Sequence, residues 1–90
     1  MRYEDVHVTI DHYRYSQKEL TIRAGTTVVW TNKDKVVHTV TGDRDVTPNS
    51  GTIQVGESFS YTFTEPGEYP YHCAIYPTLK NLKAVVIVTP

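Results

Sequence analysis

The stretch YPYHCAIYPTLKNLKAVVIV, residues 69–88, predicts two β-strands that are joined by a short loop. In its first part, Tyr69, Tyr71 and Cys73 occupy every second position and therefore share one face of a strand. Its last part, AVVIV at 84–88, is rich in β-branched residues, which favour a strand. The only cysteine of the chain thus lies where a strand ends and a loop begins.

The rest of the chain continues this β pattern. Alternating or β-branched segments, bounded by turn residues, occur at 6–10, 20–22, 26–32, 36–41, 52–55 and 59–63. Apolar residues nowhere recur at helical spacing for more than one turn. About eight short strands at roughly ten-residue intervals predict an all-β fold, either a sandwich or a barrel. Because no linker or repeat interrupts the 90 residues, we expect a single domain over 1–90.

Composition and charge argue against several classes of protein. A formal net charge of −1, with acids and bases interleaved, gives no reason to expect nucleic acid or an anionic membrane as partner. The longest apolar run, at 84–88, is far too short to span a bilayer, and the opening residues MRYED do not read as a signal peptide. We therefore expect either a cytoplasmic protein or a mature domain behind a new start codon. A single cysteine excludes an internal disulfide.

Cys73 and His38 are the candidate site residues. A soft copper site uses a thiolate and imidazoles in a trigonal set, with a weak thioether or carbonyl ligand further away. A histidine from a distant strand, together with a tight loop directly after the cysteine, supplies such ligands at little entropic cost. Cys73 at a strand end and His38 near the middle of the chain match the first half of this pattern. The competing interpretation is that a lone cysteine is simply a small buried hydrophobe.

The runs VVWTNKDKVVHTVTGD at 28–43 and SGTIQVGESFSYTFTEPGEYPYHC at 50–73 resemble the cupredoxins, the small blue-copper proteins of the amicyanin and plastocyanin type. The resemblance extends from about Val6 to Val88 and implies an eight-stranded Greek-key β-sandwich. In that family the histidine of the H-T-V element and the cysteine of Y-H-C bind copper, which assigns these roles to His38 and Cys73. It further implies one-electron transfer with a redox partner protein in a periplasmic or extracytoplasmic setting.

The loop after the cysteine departs from the family pattern Cys-x-x-His-Pro-x-Met. Here Tyr76 takes the position of the histidine, and Leu79 takes that of the methionine. Aligned instead from the last strand, LKAVV at 82–86 resembles Met-x-Gly-x-Val and puts Leu82 at the axial position. Both alignments lack the second imidazole and the thioether, so the resemblance implies a modified or incomplete type 1 copper site.

Two residues beside the cysteine could replace a missing ligand. A phenolate oxygen of Tyr76 can ligate oxidised copper, but its ordinary pKa of about 10 opposes this unless the metal lowers it. The alternative is that the Tyr76 ring fills the space of the lost ligand. His72 precedes Cys73 directly and therefore points to the opposite face of an extended strand. We expect His72 to be a surface or cross-strand hydrogen-bonding residue.

Aromatic residues and the remaining histidines divide into a core set and a surface set. Alternation along the strands places four aromatic residues in the core: Trp30, Phe59, Phe63 and Tyr71. Surface positions are predicted for Tyr13 and Tyr15, which belong to the polar segment DHYRYSQKE, and for His7 and His12.

Three functional interpretations follow. The first is a copper protein that passes single electrons through a modified site, where a soft thiolate and few ligands favour copper(I). The second is a metal-free cupredoxin scaffold whose loop at 74–83 carries recognition. The third is a variant whose ligand loop was engineered. An enzyme is not predicted, because the sequence offers a cysteine–histidine pair without a recognisable oxyanion hole, orienting residue or phosphate loop. The sequence predicts no particular oligomeric state.

Overall fold

The computed structural model describes residues 5–43 and 47–90. Over this part of the chain it contains nine β-strands, a 3₁₀ turn and no α-helix. The strands are β1 (Val6–Asp11), β2 (Arg14–Tyr15), β3 (Glu19–Arg23), β4 (Thr26–Asn32), β5 (His38–Gly42), β6 (Asn49–Ile53), β7 (Ser58–Phe63), β8 (Gly67–His72) and β9 (Lys83–Thr89). The 3₁₀ turn, Lys80–Leu82, precedes β9 directly. A helix long and apolar enough to cross a membrane is absent from these described residues.

The strands form two sheets packed as a sandwich. The first sheet has the order β2-β1-β4-β7, and the second has the order β3-β9-β8-β5-β6. Most neighbours are antiparallel, but β1 pairs in parallel with β4 and β3 pairs in parallel with β9. The chain crosses repeatedly between the sheets, as a Greek-key connectivity requires. The predicted all-β sandwich is therefore confirmed.

The core consists of the inward-facing residues of both sheets. Along β4 every second residue is buried, which is the period of two expected for a strand with one face in the core. Trp30 is fully buried, and its indole N–H donates to the Tyr71 hydroxyl at 3.1 Å. Phe63 is also buried, and Phe59 packs against the core from a partly buried position. The core positions of Trp30, Phe63 and Tyr71 are thus confirmed, and Phe59 lies at the margin of the core.

The prediction was wrong about β2 and Tyr15. The structure has nine strands in its described residues rather than eight, because β2 comprises only two residues and is too short to show a period. Tyr15 is 2% exposed instead of lying at the surface. Its hydroxyl donates to the Thr39 carbonyl at 2.7 Å, its ring packs edge-on against Tyr71, and burial raises its pKa far above the ordinary value.

The other surface predictions for this region are confirmed. Tyr13 is 41% exposed, and His7 and His12 are also exposed. His12 and Tyr13 form the tip of the β1–β2 hairpin, with φ angles of 52° and 58°. A two-residue hairpin requires this left-handed backbone, but in residues other than glycine it costs roughly 1–2 kcal/mol each. The turn therefore depends on contacts that hold it, and it carries Tyr13 towards His38.

Candidate metal centre

The structure brings together the two principal candidates, His38 and Cys73. His38 begins β5, and Cys73 follows the last residue of β8. Because β5 and β8 are antiparallel neighbours, the start of one strand lies beside the end of the other. Cys73 Sγ is 3.5 Å from His38 Nδ1, and both side chains are fully buried. The sequence therefore identified a pair that is in direct contact.

Backbone hydrogen bonds fix the position of the cysteine. The Cys73 N–H donates to the Leu82 carbonyl at 3.1 Å, which ties the loop to the 3₁₀ turn before β9. The next N–H, that of Ala74, donates to Thr39 Oγ1 at 2.8 Å. Since Thr39 follows His38 directly, the same strand positions the imidazole and the peptide next to the thiol.

Asp34 is a member of the site that the sequence reasoning missed. Its Oδ2 lies 2.8 Å from His38 Nε2, and its side chain is only 7% exposed. Oδ2 also accepts the Tyr13 N–H at 2.9 Å, and Oδ1 accepts the Lys35 N–H at 2.8 Å. Burial by itself raises the pKa of the Asp34 carboxyl, but these hydrogen bonds outweigh it and hold the pKa below its usual value. An Asp-x-x-x-His spacing outside a helix gave no signal that could have revealed this pair.

Asn32 holds the turn that carries Asp34. It is fully buried at the end of β4, where its Nδ2 donates to the carbonyls of Val36 and Ile53, both at 3.0 Å. Its Oδ1 accepts the Asp34 N–H at 3.0 Å. The Asn32 side chain thus hydrogen-bonds to the backbone within the 32–38 connection and also to β6, and it holds the two together.

Two tyrosine rings cover the imidazole. The half-buried Tyr76 ring has its centroid 5.6 Å from that of His38, and the Tyr13 ring lies edge-on at 5.9 Å. The two tyrosines also contact each other edge-on at 5.2 Å. Desolvation, and to a lesser extent the neighbouring Tyr13, raises the pKa of Tyr76, which disfavours a phenolate in the metal-free protein. Tyr76 thus packs beside His38, where the alignment to the family placed a second histidine.

The structure also separates the two leucines that were alternatives for the axial position. Leu82 is fully buried in the same cluster as Cys73, whereas Leu79 is 38% exposed. The reason is the 3₁₀ turn, which directs Leu82 inwards and leaves the preceding loop at the surface. The alignment from the last strand, which selected Leu82, therefore describes the packing.

His72 lies away from the candidate centre. Its Nδ1 pairs with the Asp43 carboxylate, and its side chain is 27% exposed. This agrees with the prediction that successive side chains of β8 alternate between faces. His7 and His12 also lie outside the site, so His38 is the one histidine that contacts the thiol.

The two donor atoms of the site, His38 Nδ1 and Cys73 Sγ, suit copper(I) better than copper(II). Among the described residues, no three His, Cys, Asp or Glu side chains converge on a common point. The 3.5 Å between Sγ and Nδ1 is close to the separation of a thiolate and an imidazole on one metal ion at about 2.0–2.3 Å from each. A direct sulfur–nitrogen hydrogen bond gives the same distance. The donor types, a thiolate and one imidazole, suit a soft ion such as copper(I), but the pair does not supply the trigonal set of a complete type 1 site.

A small Greek-key β-sandwich with a buried imidazole–thiol pair at one end is consistent with the class of mononuclear copper proteins. The sequence profile described as copper binding proteins, plastocyanin/azurin family, matches residues 4–89 of this chain. The chain belongs to this family.

Individual relatives agree with this assignment. Amicyanin of Paracoccus denitrificans is 36% identical over 83 residues, which cover 88% of this chain, and the chain spans 63% of that protein's length. The structure of a purple cupredoxin from Nitrosopumilus maritimus is similar, with a TM-score of 0.82 and 30% identity over 93% of this chain and 99% of that one. A copper-containing nitrite reductase from Thermus scotoductus has a TM-score of 0.86 and 27% identity over the whole of this chain, but this match covers only 23% of the reductase.

Proposed function

We propose that this chain binds one copper ion through His38 Nδ1 and Cys73 Sγ and serves as a one-electron carrier with a modified type 1 site. The observation that carries the proposal is the buried contact of 3.5 Å between these two atoms. Membership in a copper-binding family supports it. When bound, copper supplies one-electron redox chemistry, and the protein supplies the ligands and their surroundings.

The surroundings of the pair favour the reduced ion. A thiolate is a soft ligand, and with one imidazole it satisfies copper(I), whereas copper(II) prefers more ligands and harder ones. Leu82 belongs to the buried cluster that contains Cys73, and an aliphatic side chain has no donor atom to offer a metal. We therefore expect copper(I) to bind more tightly than copper(II), which raises the reduction potential of the bound metal.

The same proposal includes partner, location and organisation. A redox partner protein and a periplasmic or extracytoplasmic setting follow from the resemblance to the amicyanin-type cupredoxins. The single domain over 1–90 stays a prediction. Partner and setting are proposals for this chain, because it spans only part of the length of the amicyanin that it matches.

We also propose that the protein is not an enzyme. Asp34, His38 and Cys73 do form a carboxylate–imidazole–thiol series, so the expectation that no orienting residue exists was wrong. The thiol is nevertheless fully buried, which denies a substrate access to it. The similarity to nitrite reductase covers less than a quarter of that enzyme and transfers no active site.

One observation favours the metal-free scaffold as a second candidate. Over the described part of the chain, no buried side-chain nitrogen or oxygen lacks a hydrogen-bond partner in the absence of metal. The Cys73 thiol and the His38 imidazole satisfy each other, so the fold does not require an ion. In that case the exposed Ile75 and Leu79 of the ligand loop are the obvious recognition residues.

A copper(I) titration of the reduced protein under anaerobic conditions separates the two functions. We expect binding of one ion per chain and a rise in melting temperature, since a ligand of the folded state at a hundred times its Kd stabilises by about 2.7 kcal/mol. For a domain of this size that is a shift of roughly 10–20 °C. Copper(II) should give a smaller shift. If neither copper(I) nor copper(II) changes the melting temperature and no thiolate-to-copper absorption develops, the scaffold is the correct function.

A Tyr76→Phe variant tests whether the phenol participates. We propose that Tyr76 covers the site without ligating, because its ring packs against the rings of His38 and Tyr13. The variant should bind copper(I) within roughly twofold of the original affinity, since the ring and its packing remain. Tyr13→Phe is the matched control, because its ring also packs against His38. A loss of tenfold or more in Tyr76→Phe alone, with a changed copper(II) spectrum, would instead make the phenol oxygen a ligand.

A further inference from the structure

The Asp34 carboxylate joins the His38 imidazole to the tip of the β1–β2 hairpin. We propose that Asp34 is the positioning residue of the His38–Cys73 site. It holds the His38 imidazole in the tautomer that carries the hydrogen on Nε2, so that the Nδ1 lone pair faces the thiol. It also binds the Tyr13 N–H and thereby keeps the Tyr13 ring against the imidazole. The part that concerns copper affinity rests on the proposed function. The part that concerns the imidazole and the hairpin does not.

The assignment of the imidazole hydrogen follows from the donors around the carboxylate. An ionised carboxylate only accepts hydrogen bonds. Oδ1 already accepts the Lys35 N–H at 2.8 Å, and Oδ2 accepts the Tyr13 N–H at 2.9 Å. At 2.8 Å from Oδ2, the His38 Nε2 must therefore be the donor. In a neutral imidazole with its hydrogen on Nε2, the lone pair lies on Nδ1, the atom 3.5 Å from Cys73 Sγ.

The carboxylate itself cannot easily rotate away from this arrangement. The Asp34 backbone N–H donates to Asn32 Oδ1, and Asn32 is held by two carbonyls through its Nδ2. Asp34 thus has fixed partners on its backbone and on both carboxylate oxygens. A hydrogen-bonded carboxylate behind a ligating imidazole sets the orientation of the ring and makes it a stronger ligand.

The hairpin tip depends on the same oxygen atom. His12 and Tyr13 both adopt left-handed backbone angles without being glycine, and this conformation needs compensating contacts. The Tyr13 N–H has Asp34 Oδ2 as its partner, and the Tyr13 ring packs edge-on against both His38 and Tyr76. Removing the carboxylate therefore loosens the imidazole and the aromatic cover together.

The chain offers an internal control in a second histidine–aspartate pair. His72 Nδ1 pairs with Asp43, but here the two side chains are 27% and 43% exposed, and neither contacts the thiol. An Asp43→Asn variant removes a carboxylate from a histidine without touching the candidate centre. Effects that appear in Asp34→Asn and not in Asp43→Asn are thus specific to the site.

The test is ¹⁵N NMR of the histidine rings in the metal-free protein at neutral pH. We expect the His38 signals of a ring protonated on Nε2 and unprotonated on Nδ1 in the original protein and in Asp43→Asn. In Asp34→Asn the Nδ1–H form should become populated. Asparagine has one acceptor oxygen in place of two, so it cannot accept hydrogen bonds from the Lys35 N–H, the Tyr13 N–H and His38 Nε2 as the carboxylate does. The Tyr13 amide should also exchange faster with solvent. Asp34→Glu should restore the Nε2–H form at least in part.

Copper(I) affinity provides the second measurement, on the same three variants. We expect Asp34→Asn to bind about 10–100-fold more weakly and Asp43→Asn to bind within about twofold of the original. An Nδ1–H ring in the original protein, or an Asp34→Asn variant with unchanged ring signals, would overturn the inference. If the original protein binds no copper, the proposed function fails, but the ring signals still decide the role of Asp34. Should Asp34→Asn not fold, the original protein and Asp34→Glu decide it.

Discussion

A Cys73→Ala variant should lose copper(I) affinity by on the order of a thousandfold, the largest change in binding that any single substitution in this chain is expected to cause. The thiolate is the only soft anionic donor in the sequence, which has one cysteine. After its removal the His38 imidazole is the one proposed ligand that remains. Competition against a copper(I) chelator of known affinity measures the loss.

The control for this experiment is His72→Ala, which alters the neighbouring residue in sequence but not the candidate centre. Its affinity should stay within about twofold of the original, because the imidazole of His72 pairs with Asp43 instead. Circular dichroism must show that both variants are folded. A Cys73→Ala variant that retains most of its affinity would place the copper elsewhere on the protein and refute the proposed ligand pair.

Trp30→Ala should reduce the free energy of unfolding by about 4 kcal/mol, the largest expected loss of stability. The indole is fully buried and packs against Phe59, Phe63 and Tyr71. Its removal leaves a cavity and also deprives the Tyr71 hydroxyl of the indole N–H. Since domains of this size are stable by only about 5–15 kcal/mol, the variant should be close to unfolding.

Urea denaturation at 25 °C measures this loss, with Val55→Ala as the control. Val55 is 54% exposed, so truncating it should change stability by no more than about 0.5 kcal/mol. A loss of less than about 1 kcal/mol in Trp30→Ala would contradict the packing described for the core. In Trp30→Phe most of the apolar volume remains, and the difference between the two variants separates packing from the hydrogen bond.

Most of the fold could be predicted from the sequence because burial follows the two-residue period of a strand. The period is plain in β1 and β7, whose apolar residues alternate with polar ones, whereas β4 and β9 were predicted from their β-branched residues. It fails for β2, because two residues between polar neighbours contain no period. Tyr15 was therefore misplaced, although its ring and hydroxyl both have partners in the core.

The candidate site was predictable only in part. The proximity of His38 and Cys73 followed from the resemblance, and whether they bind copper stays a prediction. Asp34 and Tyr13 could not be found, because their roles arise from the geometry of two turns that are 21 residues apart in sequence. The sequence also could not decide whether Leu79 or Leu82 occupies the axial position. This depends on the 3₁₀ turn, which no residue pattern in the loop predicts.

The parallel pairing of β3 with β9 also affects the stage of protein synthesis at which the His38–Cys73 site can form. Within the described part of the chain, residues 19–23 of β3 pair only with residues 85–89 of β9, which are synthesised near the end of the chain. β9 is also the antiparallel neighbour of β8. Contacts between such distant segments form late and slowly. A growing chain that ends at Cys73 has both donors and the strands β5 and β8, but it lacks the Leu82 carbonyl that accepts the Cys73 N–H. We therefore expect copper, if it binds as proposed, to be acquired after the second sheet has formed.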